Sequence, residues 1–152
     1  MAHRGEKAYR DVFDLVHRRE AEGPNQILQA DYTLLDLWVT REGEKPTRPW
    51  LTIIVDDYSR AIAGYFRPFD SPSAPQTSLA LTQAIWRKAE SKWQVFGIPE
   101  ILGTDNGSDF TSENMEQVAA DLKMRLTSSI PVRSRGRGRI ERLFQTVKQI
   151  FL

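Results

Sequence analysis

The sequence contains no cysteine, which excludes disulfide frameworks, thiolate zinc sites and cysteine nucleophiles. Its two histidines, His3 and His17, both precede the part of the chain that we interpret as the folded core, so a zinc hydrolase is not expected. No apolar run approaches the roughly 18 residues of a membrane span, and the N-terminus has no signal-peptide core. We therefore expect a globular protein that has no membrane partner and resides in the cytoplasm.

A large excess of one charge is also missing, because the net charge is +1, and this value alone does not indicate a nucleic-acid partner. The distribution of charge is more informative. Near the C-terminus, five arginines fall within ten residues and have no acidic neighbour before Glu141. Such a segment can contact the phosphate backbone of DNA, and a solvated, flexible loop is the alternative interpretation. The five are Arg133, Arg135, Arg137, Arg139 and Arg142.

Three acidic residues stand on separate predicted elements. Asp31 lies within an apolar strand, Asp105 follows a buried strand, and Glu141 starts the last helix; 35 residues lie between Asp105 and Glu141. Three carboxylates on separate elements suit an all-oxygen site for two Mg²⁺ ions, with Mn²⁺ as a substitute. Mg²⁺ is a hard cation that takes few carboxylates together with water and substrate phosphate. The sequence therefore predicts a site for metal-dependent phosphoryl transfer.

Other carboxylates compete for these roles. Asp36 follows Asp31 by five residues, so an unbulged strand puts the two on opposite faces and only one of them can face the site. Asp56 and Asp57 stand at a predicted hairpin turn, where aspartate is favourable turn chemistry. We therefore favour a structural role for this pair.

Asp105 and Glu141 also have ordinary explanations. Asp105 begins an Asp-Asn-Gly sequence typical of a turn, whereas Gly107 at the third position excludes an EF-hand calcium loop. A glutamate at a helix start is common, because negative charge is favourable there. However, Gln145 and Lys148 follow Glu141 by four and seven residues and so line the same helical ridge. A carboxylate, an amide and an ammonium on one ridge can hold metal and then DNA phosphates.

Apolar periodicity and chain breakers predict three strands, helix, strand, helix, strand and helix, after an N-terminal helix at residues 6–22. This order indicates an α/β fold, in which an antiparallel meander belongs to a mixed five-stranded sheet flanked by helices. Residues 129–138 are predicted to be irregular. The predicted strands are 26–39, 50–55, 61–69, 98–103 and 124–128, and the later helices are 76–96, one capped by Thr111, and one from 139 to the end.

Four stretches resemble, in the right order, the catalytic core of the retroviral-integrase superfamily, specifically that of bacterial Mu-like DDE transposases. They are QADYTLLDLWV, LTIIVDDYSR, ILGTDNGSDFTS and GRGRIERLFQTVK, and the resemblance covers roughly residues 26–152. It implies a ribonuclease-H-like fold, with a helical lead-in at 1–24 and the catalytic core at 25–152. It also implies that Asp31, Asp105 and Glu141 are the catalytic, metal-binding D, D and E.

The same resemblance implies the reaction and its partners. The reaction is nicking at transposon ends followed by strand transfer, by in-line phosphoryl transfer. The partners are transposon-end and target DNA, further copies in the active DNA complex, and helper proteins, in a bacterial cytoplasm. Lys148 lies where family members touch DNA near the reacting end, and Gln145 occupies a position that is often basic. Family members carry domains before and after this core, so we expect the chain to be a fragment of a longer transposase.

Two other functional classes stay open. A hydrolytic nuclease of the same fold would use the same carboxylates with water as its only nucleophile. A non-catalytic DNA-binding remnant would keep the fold and the arginine-rich segment without activity. The presence of all three acidic residues argues against the remnant, and a strand-transfer assay discriminates the transposase from the nuclease.

Overall fold

The structure, a computed structural model, describes residues 21–104, 112–127 and 134–151, with the backbone alone for 134–140 and 151. Across these residues, no helix combines the length and the apolar character needed to cross a bilayer. The predicted N-terminal helix lies outside them except for its last two positions, Ala21 and Glu22, which are not helical. The strands are β1 (Ile27–Leu34), β2 (Trp50–Asp56), β3 (Ile62–Phe66), β4 (Ile101–Thr104) and β5 (Arg125–Thr127), and the helices are α1 (Ala74–Ile85), α2 (Glu113–Asp121) and α3 (Ser134–Phe151).

The five strands form one sheet in the order β3-β2-β1-β4-β5. The prediction of a mixed five-stranded sheet is confirmed. β1, β2 and β3 make the antiparallel meander, and β4 and β5 add on parallel to β1. β1 ends at Leu34 and not at Val39, because the chain leaves the sheet there for the connection to β2. Since β1 and β4 are parallel, their carboxyl ends lie at the same edge of the sheet.

Each face of the sheet has its own apolar core, since side chains alternate along a strand. On the first face, Leu28 and Ala30 of β1 pack with buried residues of α1 and α2, including Leu81 and Met115. On the second face, residues of β2 such as Ile53 pack with residues of α3. β2 is covered on both faces, which explains why its sequence is a nearly continuous apolar run.

Gly64 permits the close approach of α1 to β3. A Cβ atom at this position would lie 2.8 Å from Ala84 N and closer still to Ala80 O, both backbone atoms of α1. Any side chain at residue 64 would therefore push the helix away from the sheet. This contact sets the separation between α1 and the meander.

The predicted helix 76–96 is wrong in its second half, because α1 ends at Ile85. Trp86 is extended, and the chain turns back so that Gly97 N donates to Ile85 O at 2.9 Å. The aromatic spacing that predicted a helix has another cause. Trp93 Nε1 donates to Ile62 O at 2.6 Å and its ring stacks on Tyr65, so it covers the outer edge of β3.

Two helix starts also differ from the prediction. Ser112, and not Thr111, caps α2, since Ser112 Oγ accepts a hydrogen bond from Met115 N at 3.3 Å; Thr111 lies outside the described residues. α3 begins at Ser134, so the last five residues of the predicted irregular segment, 134–138, are helical. Gly136 and Gly138 suggested a loop, but each costs only about 1 kcal/mol relative to alanine in a helix, and the intervening arginines favour helix.

Candidate active site

Asp31 lies near the middle of β1 and is half-buried. Its strand neighbours Ala30 and Tyr32 pack into the first core, so alternation directs Asp31 to the second face. In the ladder Asp31 stands opposite Ile53, which packs in the second core. Its Oδ1 accepts a hydrogen bond from Tyr32 N at 2.8 Å. Asp31 therefore shares a face of the sheet with α3.

Asp36, the rival carboxylate, has a different environment. It stands beyond the end of β1, is 67% exposed at its side chain and forms an ion pair with Arg48 at 3.0 Å. An exposed ion pair of this kind contributes little to stability. Asp36 thus belongs to the surface of the β1–β2 connection, which leaves Asp31 as the carboxylate of this strand on the second face.

Asp105 lies outside the described residues, but the strand that leads to it is well defined. Thr104, the residue before it, ends β4 and pairs in parallel with Ala30, the residue before Asp31. Thr104 is buried, and within residues 21–104, 112–127 and 141–150 its Oγ1 has no hydrogen-bond partner. The chain therefore leaves β4 beside the strand position of Asp31.

Glu141 is the eighth of the 18 residues of α3, so the prediction that it starts the helix is wrong. The helix begins at Ser134 instead. Glu141 is exposed and lies three residues before Phe144, which is buried against Leu51 and Ile53 on the second face of the sheet. Residues three apart in a helix are neighbours on its surface. The contact of Phe144 therefore keeps the Glu141 segment on the same side of the sheet as Asp31.

The predicted DNA-binding residues fall on or near α3. Arg133 lies outside the described residues, and of Arg135, Arg137 and Arg139 the structure gives the backbone, which is helical. The segment predicted as an arginine loop is thus helical from Ser134 onward. Further along α3, Arg142 and Gln145 are exposed and Lys148 is half-buried. Gln145 and Lys148 follow Glu141 on one ridge, as the sequence predicts.

Asp56 and Asp57 build the β2–β3 turn, as their sequence context predicts. The fully buried Asp56 accepts hydrogen bonds from Ser59 N and Asn25 N, both at 2.8 Å. Asp57 does more than the turn prediction requires, because its Oδ1 accepts from Gln29 Nε2 at 2.7 Å. Sequence reasoning missed Gln29, which lies two residues before Asp31 and therefore on the same face of β1. The sequence signal that could have identified Gln29 is its polar side chain two residues before Asp31 in an otherwise apolar strand.

An open groove of about 590 Å³ lies on the same face of the sheet, on the β2–β3 side. Its lining is apolar apart from Tyr65 and Arg67, and it contains no carboxylate. No cluster of three potential metal-ligating side chains occurs among the described residues, a set that excludes Asp105. The groove therefore differs in chemistry from the carboxylate site and is not a candidate for metal binding.

The pKa of Lys88 is the one clear shift among the described groups. Partial burial lowers this pKa, since burial disfavours the charged ammonium. Lys88 Nζ donates to Ala84 O near the end of α1 and lies 5.1 Å from the centroid of the Trp93 ring. The shift therefore belongs to the structure around Trp93 and not to the candidate active site.

Comparison with known proteins gives a consistent result. The family model of the TnsB C-terminal domain matches residues 29–152. The chain is 58% identical over 151 residues to the transposase for transposon Tn552 of Staphylococcus aureus, covering 99% of this chain and 32% of that protein. It is 27% identical over 146 residues to the transposition protein TnsB of Tn7 from Escherichia coli, covering 87% of this chain and 21% of TnsB. The chain thus spans a third or less of these relatives.

Solved structures support the same fold. A chain of a simian T-cell lymphotropic virus intasome, solved in complex with PP2A regulatory subunit B56 gamma, matches with a TM-score of 0.61 at 25% identity, over 82% of this chain and 39% of that chain. The HTLV-2 integrase catalytic core, solved as a dimer with magnesium, matches with a TM-score of 0.59 at 24% identity, over 86% of this chain and 72% of that chain. The fold is accordingly that of the ribonuclease-H-like integrase cores.

These matches confirm the resemblance to the retroviral-integrase superfamily. The assignment to Mu-like transposases is more specific than what the matches show. The family model covers most of the chain, from two residues before Asp31 to the C-terminus. The two curated relatives described above are transposition proteins, and the structural neighbours include a retroviral integrase core. The chain belongs to the family of the TnsB C-terminal domain, a domain of the transposase and integrase superfamily.

Proposed function

We propose that this chain is the catalytic domain of a DDE-type transposase, a polynucleotidyl transferase that nicks the ends of a mobile element and joins them to target DNA. The domain spans residues 25–152, with 1–24 as a lead-in. The observation that carries the proposal is the position of Asp31. It is a half-buried carboxylate near the centre of a strand, on the face against which α3 packs. A carboxylate at such a position offers the oxygen ligands that Mg²⁺ takes together with water and substrate phosphate.

Asp105 is the proposed second ligand. Thr104, the residue directly before Asp105, pairs in parallel with Ala30, the residue directly before Asp31. Carboxylates at the carboxyl ends of parallel strands are natural ligand positions in α/β sheets. This register supports an arrangement in which the two carboxylates share one ion.

Glu141 is the proposed third ligand. The side chain of Phe144 anchors α3 on the second face through Leu51 and Ile53, and Glu141 stands one helical turn before it. An exposed carboxylate on a helix anchored in this way can approach Asp31 from above the sheet. Gln145 and Lys148, next on the ridge, would then meet the DNA phosphates that lead away from the reacting bond.

The donor set fits two Mg²⁺ or Mn²⁺ ions, because Asp31, Asp105 and Glu141 offer carboxylate oxygens alone and hard cations prefer these. Bound ions supply activation of water or a DNA 3′-hydroxyl and charge stabilisation of the leaving oxygen. The protein itself would position the reactants: Asp31, Asp105 and Glu141 would hold the ions, with Asp31 supplied by β1 and Glu141 by α3. Lys148 and the arginines of α3 orient the DNA backbone for in-line attack.

The proposed partners follow from this reaction. We propose that the domain binds transposon-end and target DNA and that copies of it associate in the active complex, with helper proteins. The chain would act in the bacterial cytoplasm, where its DNA is found. Arg133, Arg135, Arg137, Arg139 and Arg142, together with Lys148 and Gln145, are the proposed DNA contacts.

A set of matched variants tests the carboxylate assignment. The chain is titrated with MnCl₂, and free Mn²⁺ is followed by electron paramagnetic resonance. Asp31→Asn and Glu141→Gln should weaken binding by more than the roughly 10- to 100-fold that loss of an outer-shell partner costs. Asp36→Asn, a control on the same segment, should bind as the wild type does. Equal loss in Asp31→Asn and Asp36→Asn, or no loss in Asp31→Asn, would contradict the proposal.

An activity assay separates the proposed transposase from the hydrolytic nuclease. Supercoiled plasmid with Mn²⁺ reports nicking by the isolated chain. The complete transposase, supplied with 3′-hydroxyl ends of its own element, reports strand transfer. A transposase joins such ends to target DNA, whereas a nuclease of this fold releases nicked DNA without joined products. Loss of both activities in Asp31→Asn, with both retained in Asp36→Asn, is the expected result.

A further inference from the structure

The connection between β1 and β2, residues 35–49, leaves the sheet at the edge where β1 and β4 end. We call it the β1–β2 arm. It begins directly after the C-terminal end of β1, the strand that carries Asp31, and it ends where β2 begins. Ligands of α/β sheets bind outside the carboxyl ends of the parallel strands. The β1–β2 arm therefore stands at the rim of the proposed active site.

The β1–β2 arm is an ordered element and not a slack loop. Leu35 N donates to Pro49 O at 2.9 Å, and Val39 and Thr47 exchange two backbone hydrogen bonds of 3.0 Å each. Gly43, with φ of +79°, permits the turn at the tip. The ring of Phe69 lies 4.3 Å from the guanidinium carbon of Arg41, which fastens the arm to the chain after β3.

Trp38 projects from this ordered arm with 70% of its surface exposed. Its neighbour Leu37 packs into the second core, so the backbone at this point is anchored while the indole stays in solvent. Trp38 follows Asp31 by seven residues, which at about 3.3 Å per residue limits their separation to roughly 23 Å. This length corresponds to about seven base pairs of duplex at about 3.4 Å each.

The charges of the β1–β2 arm cancel. Its three basic residues are matched by three acidic residues, and two of the pairs are in contact: Arg48 with Asp36 and Arg41 with Glu44. The arm is thus poorly suited to hold a phosphate backbone by charge. An exposed indole offers a different interaction, since every nucleic-acid base has a face on which an aromatic ring can stack.

We propose that the β1–β2 arm is a DNA-contacting element in which Trp38 stacks on an unpaired base close to the reacting phosphate. The proposal rests on the proposed function, which brings DNA to this edge of the sheet. Stacking needs a base outside the duplex, and bases at a nicked or processed end are the least costly to unpair. Trp38 would hold such a base and so fix the position of the DNA end relative to Asp31.

The chain contains a matched control. Trp86 is also 70% exposed, but it follows α1 near the opposite edge of the sheet. The segment after it lies beside the start of β1, where Asn25 Nδ2 donates to Ile98 O. Both tryptophans expose their indoles, so replacing either one by alanine should leave the melting temperature nearly unchanged. A difference in DNA affinity between the two variants would then be caused by the position of the tryptophan in the fold and not by the loss of an exposed apolar side chain.

The test measures binding of the full chain to two fluorescein-labelled probes, a 20-base-pair blunt duplex and the same duplex with a four-nucleotide 3′ overhang. Trp38→Ala should weaken binding to the overhang probe by about 5- to 150-fold, the range for loss of one stacked base. Trp38→Tyr should retain most of the affinity, and Trp86→Ala all of it. The salt dependence should not change in Trp38→Ala, since no phosphate contact is lost.

Any of the following results would overturn the inference. Equal affinities of wild type and Trp38→Ala for the overhang probe would do so, as would equal losses in Trp38→Ala and Trp86→Ala. A wild type that binds neither probe would also contradict it. A loss of self-association in Trp38→Ala, seen by sedimentation with DNA binding intact, would assign the β1–β2 arm to a protein interface. In all these cases the Mn²⁺ titration of Asp31→Asn and Asp36→Asn separately decides whether the proposed function stands.

Discussion

Replacing Phe144 by alanine tests how α3 is held on the sheet. Phe144 is 8% exposed and packs with Leu51, Ile53 and Val55 on the second face. Phe-to-Ala changes in cores cost about 3–5 kcal/mol, and a residue at the margin of a core should lie near 3 kcal/mol. This loss is smaller than the roughly 5–15 kcal/mol that stabilises an ordinary domain, so the variant should still fold. We expect its melting temperature to fall by about 6–12 °C.

The control for this prediction lies on the same helix. Ile150 is 71% exposed, so Ile150→Ala should change the free energy of unfolding by less than about 0.5 kcal/mol. Denaturant unfolding followed by circular dichroism measures both variants. Mn²⁺-dependent nicking by Phe144→Ala, assayed well below its melting temperature, should fall about 100-fold, because displacement of Glu141 by about 1 Å misaligns the reacting groups. Equal stability losses in the two variants, or full activity in Phe144→Ala, would refute the reasoning.

Three further predictions follow from the same architecture. In the proposed arrangement the carboxylates of Asp31 and Asp105 would lie close together and repel, so Asp105→Asn should raise the melting temperature of the metal-free protein and erase the stabilisation by Mn²⁺; a lower melting temperature with that stabilisation intact would make Asp105 a turn residue. Lys148→Ala should weaken binding to all DNA sequences and lower the slope of log affinity against log salt by about 1, whereas Lys92→Ala, an exposed control, should leave the slope unchanged. Gly64→Ala should destabilise the fold by about 1–3 kcal/mol in denaturant unfolding, and an unchanged stability would mean that α1 can withdraw from β3 without cost.

The sheet could be predicted from the sequence because its signals are local. The apolar run at β2 and the aspartate-rich turn after it define the meander, and both appear in the structure as expected. The second half of the predicted helix 76–96 could not be predicted correctly. Its aromatic residues have helical spacing, but Trp93 interacts with the edge of β3, a contact more than 30 residues away in the sequence. Periodicity carries no information on such long-range contacts.

The sequence supplied candidate residues for the site but not the geometry that relates them, and the assignment of the three ligands stays a prediction. Strand alternation indicated that only one of Asp31 and Asp36 can face the site, and the family resemblance selected Asp31. The structure places Asp36 outside β1 in an exposed ion pair with Arg48, and the role of Asp31 as a metal ligand stays a prediction. The start of α3 was missed because Gly136 suggested a loop, whereas packing of the helix on the sheet outweighs its local cost. The role proposed for Trp38 could not be predicted from the sequence, because the proposal rests on an exposure and a position that only the folded chain defines.

A crystal of the chain soaked in MnCl₂ and measured at an anomalous wavelength tests the central claim most directly. The account predicts an anomalous peak for a Mn²⁺ ion that the carboxylates of Asp31 and Asp105 both bind. The distances from Mn²⁺ to the carboxylate oxygens should be about 2.2 Å, slightly longer than those for Mg²⁺. The same soak of Asp31→Asn should lose the peak, and that of Asp36→Asn should retain it. A wild-type map without Mn²⁺ at Asp31, or with Mn²⁺ bound at Asp36 instead, would contradict the account.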